Sequence, residues 1–155
     1  MTPARISHED VPLRAHFELE VPVHLQAFVI EDNATIRENL IGTLEELTCV
    51  QVAGASATED EALAWLQENI DRWDLVIVDL FLKQGSGIHL AQCIQRKRPS
   101  QKVVVFSNYI NASVRKRCAQ LGVDAVFDKS TEIDALVDYC AHQCYRIAQA
   151  QAQAA

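Results

Sequence analysis

The sequence lacks any long apolar run, and its first residues do not combine a basic start with an apolar core. A membrane-spanning helix needs about 20 mainly apolar residues, so we expect no such helix. The N-terminal residues likewise predict no signal peptide. Both absences predict a cytoplasmic protein that does not associate with a membrane.

Basic residues are also scarce, since 14 Lys and Arg against 21 Asp and Glu give a formal net charge of −7. Binding to nucleic-acid phosphates depends on clustered Lys and Arg, so this balance argues against a nucleic-acid partner. The basic run Arg96-Lys97-Arg98 precedes Pro99. We interpret it as the solvated end of a helix, where cations complement the helix dipole.

Cysteines at paired spacing are lacking as well. The chain has five cysteines, and an odd number without paired spacing argues against a disulfide framework. Cys140 and Cys144 lie one helical turn apart with His142 between them, but zinc needs more ligands and His142 points to a different face. We therefore expect buried free thiols here.

What the sequence does contain is a regular alternation of strand and helix patterns. Apolar segments at residues 27–30, 75–78 and 103–106 predict buried strands, and residues 50–55 and 125–127 predict two shorter ones. Strands that are apolar throughout indicate a parallel sheet covered on both faces. The prediction is an α/β fold, a flavodoxin-like, doubly wound sheet of five parallel strands in the order 2-1-3-4-5 with five flanking helices.

The chain divides into three parts. Residues 1–24 carry three prolines and predict a mobile arm or an added strand. Residues 25–147 contain the alternating pattern and form the predicted domain. Residues 148–155 are only Ala and Gln, and we expect this tail to fray.

Polar side chains follow four of the predicted strands. In chain order they are Glu31 with Asp32, Asp79, Ser107, and Asp128 with Lys129. The carboxyl ends of parallel strands share one edge of a sheet, so we expect a single site that holds several carboxylates, a hydroxyl and an ammonium group.

This set of groups suits phosphoryl chemistry. Clustered carboxylates repel one another, and Mg²⁺ relieves that repulsion in a site with a few carboxylates and a phosphate oxygen. Lys129 would supply a point charge for a phosphate oxygen, and Ser107 would donate a hydrogen bond to another. Asp79 is then the candidate nucleophile and would form an acyl phosphate.

These residues resemble the receiver domain of bacterial response regulators. The resemblance covers residues 25–147 and rests on Val29-Ile30-Glu31-Asp32-Asn33, Val76-Ile77-Val78-Asp79-Leu80, Phe106-Ser107-Asn108 and the stretch from Gly122 to Lys129. It implies a single-domain response regulator of a two-component or phosphorelay system, with Asp79 as phosphoacceptor. It also implies a magnesium site made by Glu31, Asp32, Asp79 and the main-chain carbonyl of Phe81, and phosphate-binding or switch roles for Ser107, Asn108 and Lys129.

Four positions depart from the family pattern. Lys83 stands where a proline is frequent, Ser130 follows Lys129 in place of a proline, and Asn108 replaces a small residue. Val126 occupies the position of the switch aromatic, and Phe127 points to the opposite face of the strand, so it cannot substitute.

The resemblance also assigns a tuning role to the positions two residues beyond the phosphoacceptor and two beyond the switch hydroxyl. Here they are Phe81 and Tyr109. Both are bulky, and Phe81 cannot orient a water molecule, so we predict a slowly hydrolysing acyl phosphate.

The implied partners are a sensor histidine kinase or a histidine phosphotransfer protein, and a downstream protein effector in trans. The fourth helix, fifth strand and fifth helix would form the partner surface and could also support self-association. We expect no enzymatic activity beyond the domain's own phosphorylation and slow autodephosphorylation.

Four alternatives differ in what they require. A phosphorylation-independent docking module would show no phosphotransfer, and a phosphate sink would accept phosphate without an effector. A phosphatase of the haloacid dehalogenase type needs a second Asp where Phe81 stands. A flavin carrier needs a hydroxyl-rich phosphate loop after the first strand, where Glu31 and Asp32 would repel phosphate.

Overall fold

Strands and helices alternate along the computed structural model, which describes residues 23–154. The strands are β1 (Leu25–Ile30), β2 (Val50–Ser56), β3 (Leu75–Val78), β4 (Lys102–Ser107) and β5 (Ala125–Asp128). The helices are α1 (Ala34–Leu47), α2 (Glu59–Glu68), α3 (Gly87–Cys93), α4 (Ala112–Gln120) and α5 (Ile133–Ala154). All neighbouring strands are parallel and follow the order β2-β1-β3-β4-β5, which confirms the predicted flavodoxin-like fold.

Each face of the sheet carries its own apolar core. Ala27, Val29 and Ile77 pack with residues of α1 and α5 on one face. Phe28 and Val76 pack on the opposite face with residues of α2, α3 and α4. Neighbouring residues of β1 therefore point to opposite cores, and this is why the segments 27–30 of β1 and 75–78 of β3 are apolar throughout.

Short polar residues start the first four helices. Asn33, Thr58, Ser86 and Asn111 each accept a hydrogen bond from the backbone N–H three residues later. Such caps satisfy N–H groups that have no partner within the helix. Two to four residues separate three of these helices from the preceding strand, whereas eight residues separate β3 from α3.

The prediction of free thiols at both Cys140 and Cys144 was wrong for Cys144. Cys144 forms a disulfide with Cys49, whereas Cys140 is buried and free. Cys49 follows α1 and Cys144 lies on α5, and these two helices pack on the same face of the sheet. The two residues are 95 positions apart, so their pairing follows from the fold and not from sequence spacing.

The basic run at residues 96–98 is not the end of a helix, because α3 already ends at Cys93. Arg96 pairs with Asp124 at 3.0 Å, and Arg98 pairs with Asp71 at 2.9 Å. Ion pairs therefore link the loop before β4 to the loops before β5 and β3.

The C-terminal helix is longer than the sequence predicts. Helix α5 continues through residues 148–154, where we expected fraying. Most of the predicted extension at residues 1–24 lies outside the described residues. Between residues 23 and 154, no helix has both the length and the apolar character needed to cross a membrane.

Candidate functional site

The carboxyl ends of four strands bring the predicted polar residues to one edge of the sheet. Glu31 follows β1, Asp79 follows β3, Ser107 ends β4 and Lys129 follows β5. The Asp79 N–H donates to the carbonyl of Ile30 at 3.1 Å, and the Lys129 N–H donates to that of Ser107 at 2.9 Å. Strand pairing thus sets the position of each of these side chains.

The carboxylate of Asp79 is oriented by three donors although the residue is only 6% exposed. Its Oδ1 accepts the Ser107 hydroxyl at 2.6 Å and the Phe81 N–H at 3.1 Å. Its Oδ2 accepts the Lys129 ammonium at 2.7 Å. The backbone N–H of Leu80 donates in turn to Ser107 Oγ at 3.3 Å. Asp79 is therefore held in one orientation at the bottom of the site.

Three carboxylates meet beside this ammonium group. Glu31, Asp32 and Asp79 each offer an oxygen, and these oxygens lie within 4.8 Å of one another. Lys129 also hydrogen-bonds to Glu31, whereas Asp32 accepts the Lys83 N–H at 2.7 Å. An all-oxygen set of this kind fits a hard divalent cation such as Mg²⁺.

Burial and hydrogen bonding act in opposite directions on these groups. Burial raises the pKa of Glu31 above its usual value, although the Lys129 hydrogen bond opposes this. Burial also acts to raise the pKa of Asp32, but the Lys83 N–H and the Glu31 side chain outweigh it and lower that pKa. Burial works against the charge of Lys129, yet its bonds to Asp79 and Glu31 raise its pKa. The ammonium group thus stays charged inside the site.

A pocket of about 390 Å³ opens above the carboxylates. Phe81, Lys83 and Asn108 line it together with the acidic residues and Lys129. Tyr109, with a φ of 59°, is 82% exposed, and its ring meets that of Phe81 edge-on at a centroid distance of 6.2 Å. This aromatic pair stands beside the pocket.

Val126 does not join the site. It packs with the core that contains α2, α3 and α4, and Phe127 packs with the opposite core, as strand alternation predicts. Sequence reasoning missed one contributor, Arg37 on α1, whose guanidinium donates to the main-chain oxygen of Glu31 at 2.7 Å. No sequence signal marks such a backbone contact, because any residue offers the same carbonyl.

Comparisons with known proteins found a matching family model and similar proteins. The sequence model of the response regulator receiver domain matches residues 27–141. The response regulator protein VraR of Staphylococcus aureus is 24% identical over 114 residues, which cover 74% of this chain and 54% of VraR. The chain thus spans about half the length of the curated relatives it matches.

Solved structures show the same fold. The receiver domain of AraT, a response regulator from Geobacillus stearothermophilus, superposes with a TM-score of 0.67 at 24% identity over 82% of this chain and 98% of that one. A response regulator from Burkholderia pseudomallei, crystallised with a phosphorylated aspartic acid, a calcium ion and citrate, gives a TM-score of 0.65 at 22% identity, covering 84% and 73% of the two chains.

Proposed function

This chain belongs to the response regulator receiver domain family, and on that basis we propose that it accepts a phosphoryl group from a phosphohistidine donor onto Asp79. The donor would be a sensor histidine kinase or a histidine phosphotransfer protein. The phosphorylated domain then signals to a protein partner in trans. Its own chemistry is limited to this phosphorylation and to slow loss of the phosphoryl group.

The observation that carries the proposal is the surroundings of the Asp79 carboxylate. One oxygen is held by Ser107 and the other by Lys129, at 2.6 and 2.7 Å. A carboxylate fixed in this way is aligned to attack phosphorus as a nucleophile. The new bond joins an Asp79 oxygen to phosphorus while the phosphorus–nitrogen bond of the donor breaks. Ser107 and Lys129 would then turn to oxygens of the transferred group.

The acidic residues supply a second part of the chemistry. Glu31, Asp32, Asp79 and the Phe81 carbonyl are the groups that would hold Mg²⁺, which when bound offsets negative charge on the transferred phosphoryl group. The Lys129 ammonium lies against the carboxylates of Glu31 and Asp79. Lys129 therefore limits the repulsion among three closely spaced negative charges.

Arg115 supports a route from the site to the partner surface. It lies on α4, donates to the carbonyl of Val126 on β5 at 3.0 Å, and binds Glu132 just before α5 at 2.8 Å. Movements of Ser107 and Lys129 toward the phosphoryl group would alter the ends of β4 and β5. The α4–β5–α5 face is the surface that we propose for the partner and for self-association.

The assignment of Asp79 is tested by incubating the protein with acetyl phosphate and Mg²⁺ and measuring the mass of the intact chain. The wild type should gain one phosphoryl group, and Asp79→Asn should gain none. Asp128→Asn is the matched control, because Asp128 ends β5 at the same edge of the sheet but lies outside the carboxylate cluster. Equal labelling of wild type and Asp79→Asn would refute the assignment.

A further inference from the structure

A second group of reactive side chains lies away from the Asp79 site, between α2 and α3. The His89 imidazole hydrogen-bonds through Nδ1 to Glu59, the first residue of α2. The Sγ of Cys93, one turn further along α3, lies 3.6 Å from Nε2 of the same ring. Thiol, imidazole and carboxylate thus form a continuous chain of contacts.

The contact with Glu59 assigns the tautomer of a neutral His89 ring. A carboxylate only accepts hydrogen bonds, so Nδ1 of a neutral His89 donates to Glu59. Nε2 is then left with a free lone pair directed at the Cys93 thiol. A nucleophile next to a base that is itself oriented by a third group is the arrangement that activates cysteine and serine nucleophiles.

Glu59 is anchored independently of His89. Its Oε1 accepts the Ser86 N–H at 2.7 Å, and its own N–H donates to the Gln84 carbonyl at 3.2 Å. The hydrogen bond with His89, followed by that from Ser86, holds the pKa of Glu59 below its usual value. The carboxylate therefore remains charged and fixed, ready to balance an imidazolium.

Cys93 also differs from the other four cysteines of the chain, all of which lie in the described region. Cys49 and Cys144 are joined in the disulfide. Cys118 and Cys140 are buried, and burial raises the pKa of both thiols, that of Cys140 to about 12. Among these five residues only Cys93 is both free and exposed.

There is room beside Cys93 for a small molecule. A groove of about 410 Å³ between α2 and α3 is lined by Cys93 itself, by apolar residues such as Leu66 and Ile70, and by Gln92 and Gln95. Amide groups can hydrogen-bond the peptide groups of a small peptide disulfide.

We propose that Cys93 is a site of thiol–disulfide exchange with low-molecular-weight disulfides, with His89 as proton acceptor and Glu59 as the residue that positions the imidazole. The thiol proton moves to Nε2 of His89. The Cys93 sulfur attacks one sulfur of the disulfide, so that a new S–S bond forms while the original one breaks. The departing thiolate takes the proton from His89. The Cys93 sulfur is oxidised and the departing sulfur is reduced, so no other reactant is needed.

The test measures the rate at which the full-length protein reacts with glutathione disulfide at pH 7, with peptide mapping to identify the modified cysteine. A free thiol is only a few per cent thiolate at this pH, so loss of the base should slow Cys93 about five- to ten-fold in His89→Ala. His142→Ala removes an exposed imidazole from α5 and should leave the rate unchanged. Equal rates in wild type and His89→Ala would show that exposure alone governs Cys93 and would overturn the proposal.

Rescue by a conservative variant separates positioning from mere structural support. Glu59→Gln should lower the exchange rate at pH 7 toward that of His89→Ala, and Glu59→Asp should restore part of it. Equal exchange rates in Glu59→Gln and the wild type would contradict the positioning role of Glu59. None of these measurements involves Asp79, so their outcome is separate from that of the phosphorylation test.

Discussion

The backbone of Gly87 lies against the main chain of Asp79, and a Cβ atom added at Gly87 would come 2.0 Å from the Asp79 carbonyl oxygen. The Gly87 N–H also donates to the Leu80 carbonyl at 3.2 Å, which closes the loop between β3 and α3. The φ angle of Gly87 is not positive, so the close approach is what requires glycine here. The loop that carries Phe81 and Lys83 therefore depends on a residue without a side chain.

Gly87→Ala should displace this loop. We expect a loss of about 1–3 kcal/mol in the free energy of unfolding, as is usual when a methyl group is forced into a packed site. Phosphorylation by acetyl phosphate should also slow, because the Phe81 N–H and carbonyl move with the loop. Gly42→Ala is the control, since Gly42 lies on α1 with no atom within 4 Å of an added Cβ. Similar behaviour of both variants in urea unfolding would contradict the role given to Gly87.

Lys129 should stabilise the protein in the absence of a metal ion. Its ammonium is the cation that touches the buried carboxylates of Glu31 and Asp79. Lys129→Met should lower the free energy of unfolding by about 3 kcal/mol, because removal of one partner leaves charges buried without compensation. Lys116→Met, on the exposed face of α4, should change it little.

Added Mg²⁺ provides the complementary measurement. A divalent ion can replace the charge of the missing ammonium, so the thermal midpoint of Lys129→Met should rise more with Mg²⁺ than that of the wild type. If Lys129→Met were as stable as Lys116→Met without metal, the ammonium would not be the group that balances the carboxylates.

The Asp79 site could be predicted from the sequence because the topology of a parallel sheet places the carboxyl ends of its strands at one edge. Once residues 27–30, 75–78 and 103–106 are assigned to buried parallel strands, the polar residues that follow them must share an edge. The order of the strands therefore brings Glu31, Asp79 and Ser107 together, and the strand at residues 125–127 adds Lys129 to the same edge.

Contacts between segments that are distant in the chain could not be predicted from the sequence in this way. The spacing of His89 and Cys93 places them on one side of a helix, but Glu59 joins them only because the loop before α3 pairs with the start of α2. The disulfide between Cys49 and Cys144 likewise depends on α1 and α5 packing side by side. Neither relation leaves a periodic pattern in the sequence.

Phe81 should prolong the life of the acyl phosphate. It is 55% exposed beside the pocket, its ring contacts that of Tyr109, and it has no polar group to orient a water molecule. Phe81→Asn introduces such a group, and we expect phosphate loss in the presence of Mg²⁺ to accelerate about ten-fold or more. Phe81→Leu keeps an apolar side chain and should change the rate far less. Loss of phosphate from the wild type within seconds would contradict this account.

The disulfide between Cys49 and Cys144 should make stability depend on the redox conditions. It closes a loop with a sequence separation of 95, and chain-entropy estimates for loops of this length approach about 4.7 kcal/mol, with about 2–4 kcal/mol typical in practice. Dithiothreitol should therefore lower the free energy of unfolding of the wild type by about 2–4 kcal/mol, and the urea midpoint should fall with it. Cys93→Ser keeps the disulfide and should respond to dithiothreitol as the wild type does.

Cys49→Ser should unfold at the same urea concentration with and without dithiothreitol, close to the midpoint of the reduced wild type. Disulfides are rare in reducing compartments, so a cytoplasmic form of this protein would be expected to resemble the reduced state. In that state the link between the start of β2 and α5 is missing, although the apolar contacts between α1 and α5 remain. A wild-type midpoint that is insensitive to dithiothreitol, with the thiols shown by mass to be reduced, would mean that those contacts alone hold α5 in place.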